Sequence, residues 1–173
     1  LIAVHIPAGH GHTLHGMVTV ELSTVEAVAS HLDFPALALA YEQEADSARV
    51  GMDKVRGVNF NAYLHLEAAG LIHVVAAHDG DRLIGFAVLL LSEHLHFSRM
   101  VATVEAIFAL PETGAGAELM RFLEGFARQQ GAAGLFISAP TGGRLDRVMR
   151  RSRSYSQTNA VFYKPLQGED HGN

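Results

Sequence analysis

The sequence predicts an α/β domain of the α+β kind: a central mixed, mostly antiparallel sheet flanked by helices, with a Gly-x-Gly bend leading from a strand into a helix. Three observations carry this. Residues 71–110 hold three apolar runs rich in branched side chains, separated by a turn and a polar loop, the pattern of an antiparallel meander. Pro111-Glu112-Thr113-Gly114-Ala115-Gly116 breaks the third run, and Leu119, Phe122, Leu123, Phe126 and Ala127 follow at helical spacing. After Gly131 comes a short apolar run, Leu135–Ala139, so strand, helix and strand form a crossover whose last pairing is parallel.

Residues 1–16 carry His5, His10, His12 and His15 among Gly9, Gly11 and Gly16 and show no hydrophobic period. They are expected to be a flexible extension, followed by a single domain over 17–166 and a flexible tail over 167–173. Val18, Val20 and Leu22 alternate with Thr19 and Glu21, which predicts the first strand. Ser23-Thr24-Val25-Glu26 reads as a capping box with Ser23 at the cap, opening a short helix to about residue 31. Asp33-Phe34-Pro35 starts a second helix, carrying Leu37, Leu39, Ala40 and Tyr41. Residues 57–69 predict a third, closed by Gly70. In the meander, Leu71–Ala77 and Arg82–Leu91 flank a hairpin turn at His78-Asp79-Gly80-Asp81. The second run is apolar on both faces and is therefore central. Met100–Leu110 is the third. Arg144–Ser152 predicts a basic helix, and Tyr155–Leu166 a final strand.

Composition narrows the function classes. The chain has 173 residues, 49% of them hydrophobic and 18% charged, enough for one core. Thirteen Lys and Arg face 18 Asp and Glu, a net charge of −5, so no nucleic-acid partner is expected. With no cysteine there is no disulfide, thiol nucleophile or thiolate metal site, which fits a reducing cytoplasm. The longest apolar run, Leu83–Leu91, is too short to span a membrane, and Leu1–Val4 has no basic leader, so neither membrane association nor a signal peptide is expected. Among 11 histidines, His10-x-His12 and His94-x-His96 each pair two imidazoles on one face if extended, a zinc or nickel donor type. Neither pair has a clear set of carboxylates beside it. A leader and a polar loop account for them more simply, so no metal site is expected, and a His-rich metal-binding protein is the weaker alternative.

The segment that carries chemistry is the bend before the strong helix. Unpaired N–H groups at a helix N-terminus and the helix dipole together attract an anion. Gly114 and Gly116 lack a Cβ, which lets a phosphate approach the backbone. No lysine follows the glycines to make a Walker loop. Leu119 stands where a dinucleotide fingerprint needs its third glycine.

The order of elements resembles the GNAT superfamily of acyl-CoA-dependent N-acetyltransferases over Met17 to Leu166. Ala106-Ile107-Phe108-Ala109-Leu110-Pro111 are similar to that family's fourth strand and following proline. Gly114-Ala115-Gly116-Ala117-Glu118-Leu119-Met120 resemble the second half of its pyrophosphate loop and the helix after it. Gly131–Ile137 resemble the helix stop and fifth strand, and Ser154-Tyr155 with Val161–Leu166 the aromatic position and last strand. His94-Leu95-His96-Phe97-Ser98 and the C-terminal run are most like small phage and prophage members. The loop is shorter than the family pattern and lacks its basic residue. Arg150 stands where many members place a general-acid tyrosine.

The resemblance implies acetyl-CoA as co-substrate. The N–H groups of Thr113, Gly114, Ala115, Gly116 and Ala117 would hold its pyrophosphate. Backbone at Phe108, Ala109 and Leu110 would pair with the pantetheine arm as with another strand, and Ser138 would orient substrate or cofactor. Glu105 would be the catalytic base and Tyr155 the acid that protonates the leaving thiolate. The acceptor would be a primary amine, on a small molecule or a protein. Tyr41, Phe60, Tyr63 and Leu64, and also His94 and His96, would border its cleft, although helical spacing also suits Tyr41, Phe60, Tyr63 and Leu64 as core. Arg144, Arg147 and Arg151 share a helix face that would meet the 3′-phosphate of CoA or an acidic partner, or more simply remain solvated. A homodimer is compatible with the family. The alternative function is a non-catalytic GNAT-fold domain that binds an acyl-CoA or a partner.

Overall fold

The computed structural model describes residues 17–44, 58–96, 98–162 and 164. In chain order these form β1 (Val18–Ser23), α1 (Val25–Ala29), α2 (Phe34–Glu44), α3 (Phe60–Ala68), β2 (Ile72–Asp79), β3 (Arg82–His94), β4 (Arg99–Ala109), α4 (Ala115–Gln129), β5 (Leu135–Ile137) and α5 (Arg144–Arg151). The strands make one five-stranded sheet in sequence order. β1 to β4 pair antiparallel, and β5 joins β4 in parallel. The hairpin closes through Gly80-Asp81, with Asp79 opposite Arg82.

The two faces of the sheet are covered by different means. On one, α4 lays Ala115, Leu119, Leu123 and Ala127 against Val75, Ala87, Leu89, Ala102 and Val104. Leu119 and Leu123 have no exposed surface. Each such burial is worth on the order of 2 kcal/mol. On the other face, Val25 and Val28 of α1 and Leu37 of α2 pack on Val74, Ala76, Leu83, Phe86, Val88 and Phe108. α3 also lies on this side but buries no residue fully.

Side chains from distant segments pin that second layer. Asp33 Oδ2 accepts from the Leu83 N–H at 3.0 Å, tying the start of α2 to β3. The first helical N–H of α1, that of Val25, is satisfied by Glu67 Oε1 of α3 at 2.9 Å. This corrects the expected capping box. The cap is Thr24, whose hydroxyl accepts from the Ala27 N–H, and Glu67 rather than Glu26 supplies the carboxylate. Gly85 on β3 sits where a Cβ would approach the Phe108 carbonyl oxygen to 2.9 Å, so β3 and β4 close up only because this side chain is missing.

The C-terminal region also differs from expectation. β5 spans three residues, and the chain leaves the sheet before Ser138. Residues 155–162 and 164 form no strand. The branched and aromatic run there promised one, but Val161 and Phe162 are 84% and 92% exposed and have no strand partner. The expected N-terminal extension, the C-terminal tail and His10-x-His12 lie outside the described residues.

Candidate active site

β4 changes its phase midway. Val104 lies opposite Leu89 and Ala106 opposite Val88, which leaves Glu105 as an extra residue, a β-bulge. Val104 and Ile107 pack on the α4 face, whereas Ala106 and Phe108 pack on the α1–α3 face. The parallel pairing with β5 covers only Ala102–Val104 against Leu135–Ile137. Beyond the bulge β4 continues beside β3 alone, and its other edge has no strand partner among the described residues.

The register decides which backbone groups face that edge. The Leu110 N–H donates to the Ile84 carbonyl at 2.9 Å. The Leu110 N–H and, by the alternation of the ladder, the Phe108 N–H and C=O therefore turn toward β3. This corrects the expectation that Phe108 and Leu110 offer a free backbone edge. The groups that do are those of Ile107 and Ala109. The Ala109 carbonyl accepts from Arg144 Nη2 at 2.7 Å. The same guanidinium pairs with Glu44 at the end of α2, at 3.2 Å, and lies over the Phe108 ring at 5.5 Å. Arg144 thus straps α5 to α2 across the mouth of the opening. A solvated helix face does not describe it.

The free edge runs into the N-terminus of α4. Gly114 caps the helix in the left-handed region, with φ 78°, a conformation that glycine adopts without cost. Thr113 Oγ1 donates to the Leu110 carbonyl at 2.8 Å and accepts the Ala115 N–H at 3.3 Å. The Ala117 N–H returns to the Gly114 carbonyl at 3.1 Å. Of the expected cradle Thr113–Ala117, the N–H groups of Thr113, Gly114 and Gly116 have no acceptor among the described residues. A Cβ on Gly114 would meet nothing within 4 Å, and one on Gly116 only the Ala109 methyl at 3.8 Å. The approach to the loop is open, as an anion ligand needs. Glu118 in the first helical turn would oppose an anion, but it is paired with Arg121.

Across the sheet lies a cavity of about 110 Å³ between α1, α2, α3 and the middle strands, lined by Val28, Phe34, Tyr41, Glu42, Phe60, Tyr63, Phe86, Val88 and Ala106 among others. Its aromatic rings touch edge to face, Phe34 with Phe60 at 6.2 Å and Tyr41 with Phe86 at 5.8 Å. Burial, then the charge of Glu105, pushes the Tyr41 and Tyr63 hydroxyls above the usual tyrosine range. Glu105 itself is exposed at the bulge, next in the chain to the lining residue Ala106. Sequence reasoning had Tyr41, Phe60 and Tyr63 but missed Glu42, which nothing in the pattern separates from a solvated helix residue. Leu64 does not line the cavity.

The remaining candidates fall elsewhere. The Tyr155 hydroxyl donates to Glu124 Oε1 at 2.5 Å, roughly 13 Å along α4 from its start. Burial, this bond and the carboxylate's charge push its pKa well above the usual value. No contact among the described residues joins it to Glu105. Ser138 is exposed just past β5. His94 pairs with Arg99, at the opposite end of β4 from Ala109 and roughly 30 Å away along the strand, so His94 and His96 do not border this cleft. Their rings are 5.8 Å apart, and no cluster of three or more metal-ligating side chains exists among the described residues.

No family model and no curated protein matches the chain. Solved structures do. A ribosomal-protein-alanine N-acetyltransferase from Brucella melitensis biovar Abortus 2308 superposes with a TM-score of 0.62 at 15% identity, over 88% of this chain and 100% of that one. An aminoglycoside acetyltransferase from an uncultured soil metagenomic sample gives 0.64 at 14%, over 87% and 97%. An aminoglycoside N-acetyltransferase in complex with CoA gives 0.63 at 14%, over 94% and 100%. The mixed sheet, the helices on both of its faces and these superpositions agree: the chain has the GNAT acetyltransferase fold.

Proposed function

We propose that the chain is an N-acetyltransferase that moves the acetyl group of acetyl-CoA to a primary amine by direct attack, with 17–166 as the catalytic domain, working in the cytoplasm. This reading rests on the break in pairing between β4 and β5, which leaves a free backbone edge leading into an open helix N-terminus. The N–H groups of Thr113, Gly114 and Gly116 would hold the pyrophosphate. Backbone at Ile107 and Ala109 would pair with the pantetheine amides, Arg144 giving up the Ala109 carbonyl as it does so. The amine attacks as the neutral base: its lone pair forms the C–N bond, the C–S bond breaks, and the thiolate leaves with the electron pair. Glu105, whose charge acts on the Tyr41 and Tyr63 hydroxyls, would accept the amine's proton directly or through water. Alignment of the two reactants does most of the rest. Tyr155 is committed to Glu124, so Tyr41 or Tyr63 is better placed to return a proton to the thiolate. The likeness of His94–Ser98 to phage and prophage members is carried by sequence alone.

The test is calorimetric titration with acetyl-CoA of the wild type and of Gly116→Glu, whose added Cβ has room. Micromolar binding lost in the variant is expected. A folded wild type that does not bind would end the reading. The short loop and the engaged Tyr155 favour one alternative, an acyl-CoA-binding domain without turnover. Binding with no CoA release across an amine panel would establish it.

A further inference from the structure

The cavity on the α1–α3 face has a chemistry of its own. Its wall is Phe34, Tyr41, Phe60, Tyr63 and Phe86 with aliphatic residues between them, and Glu42 is the charged residue in the lining. Glu105 does not line it, but at the bulge it is the chain neighbour of the lining residue Ala106. Among the described residues no lysine or arginine pairs with Glu42 or Glu105. Its volume of about 110 Å³ suits one small hydrocarbon group. A cavity of roughly 150 Å³ holds a benzene ring in another protein.

We infer that the acceptor is a small apolar primary amine, an arylalkyl or branched alkyl ammonium whose hydrocarbon end fills this cavity while Glu42 and Glu105 hold the nitrogen. The inference rests on the acetyl-transfer reading, since it names that reaction's acceptor. An apolar wall gives no partners to a polyhydroxylated acceptor, whose hydroxyls would lose their water unpaired. Aromatic faces and carboxylates together suit one cation on an apolar stem. The amine binds as the cation, loses a proton to the carboxylate pair, and attacks as the free base. The acceptors of the aminoglycoside-modifying structures do not transfer to this chain, because the fold is common to many acceptors and the lining is particular.

The experiment compares 2-phenylethylamine and 3-methylbutylamine with ethanolamine and sisomicin, reading CoA release and, separately, calorimetric binding of each amine without acetyl-CoA. The apolar amines should exceed ethanolamine in kcat/KM by roughly tenfold or more. Ala38→Phe, which fills the cavity, should remove that preference through KM and leave acetyl-CoA binding intact. Phe60→Ala should enlarge the cavity and shift preference toward 4-phenylbutylamine, so the proposal remains testable if the filled variant does not fold. Glu42→Gln should raise KM for the apolar amines severalfold. Preference for ethanolamine or sisomicin, or indifference to both cavity variants, would overturn the substrate class and leave acetyl transfer standing. Apolar amine binding that Ala38→Phe abolishes, with no transfer to any amine, would keep the cavity assignment and remove the catalytic reading. The absence of both binding and transfer of apolar amines would overturn the inference.

Discussion

The two faces of the sheet are built to different standards. The α4 face is a closed interlock: one helix of 15 residues places a continuous apolar stripe on the strands, and Leu119 and Leu123 are fully buried. The α1–α3 face is covered by three shorter helices, one of which buries nothing fully, and it retains a cavity. On the acetyl-transfer reading proposed above, the difference would let one sheet serve two reactants. The cofactor needs a fixed backbone edge and a fixed helix terminus, which tight packing supplies. The acceptor needs a space whose lining can differ between relatives of one fold, which loosely packed helices supply.

Truncation on the tight face should cost the most. Leu123→Ala is expected to destabilise by about 3 kcal/mol, since the site is enclosed and can collapse little. Leu64→Ala on α3, where the side chain is 42% exposed, should cost under about 1 kcal/mol. Urea unfolding of the two variants measures the contrast, and equal losses would erase it.

Gly85→Ala comes next, at about 2 kcal/mol from overpacking. The new methyl would press on the Phe108 carbonyl and on Ala109, whose backbone forms part of the free edge. Weaker acetyl-CoA binding should therefore accompany the lower melting temperature. A stability loss with unchanged affinity would mean that the edge does not hold the cofactor.

What the sequence showed, and what it hid, follows the same division. The stripe from Leu119 to Ala127, the meander and the crossover are periodicities, and periodicity survives in a single sequence. The bulge left a fainter trace: Thr103 and Glu105 are polar at odd positions, then Ile107 and Ala109 are apolar at odd positions. That phase change marks the extra residue, and it passes unnoticed when the run is read as one strand. The cavity left none, because it arises where helices fail to fill space. The strap from Arg144 to Glu44 and Ala109, and the bond from Glu67 to Val25, join residues far apart in the chain, a relation that no local pattern encodes. The expected last strand failed for a related reason: residue preference without a partner edge makes no strand.

The Glu67 bond offers a smaller test of the loose face. Glu67→Ala strips the partner from the Val25 N–H and should cost about 1 kcal/mol. Glu67→Gln keeps an acceptor oxygen and should restore most of it. If the layer over the cavity depends on this tie, Glu67→Ala should also raise the acceptor KM more than it lowers kcat.

The smallest expected effect is a pH dependence at the seam of the tight face. His73 on β2 packs its ring against Phe126 of α4, centroids 4.9 Å apart. Burial lowers its pKa from the usual 6.5, and the charge of Glu67 offsets this only in part. The unfolded chain thus takes up this proton at a higher pH than the folded one. Stability is fully present above the unfolded value and is lost as the pH falls from there through the folded value. His73→Phe keeps the ring contact and removes the titration. Its urea midpoint should fall less steeply than that of the wild type as the solution is acidified below 6.5. The other histidines are common to both chains and cancel in the difference. Parallel curves would show that His73 titrates as an exposed imidazole and that the seam admits water, which would extend the looseness of the cavity side to the edge of α4.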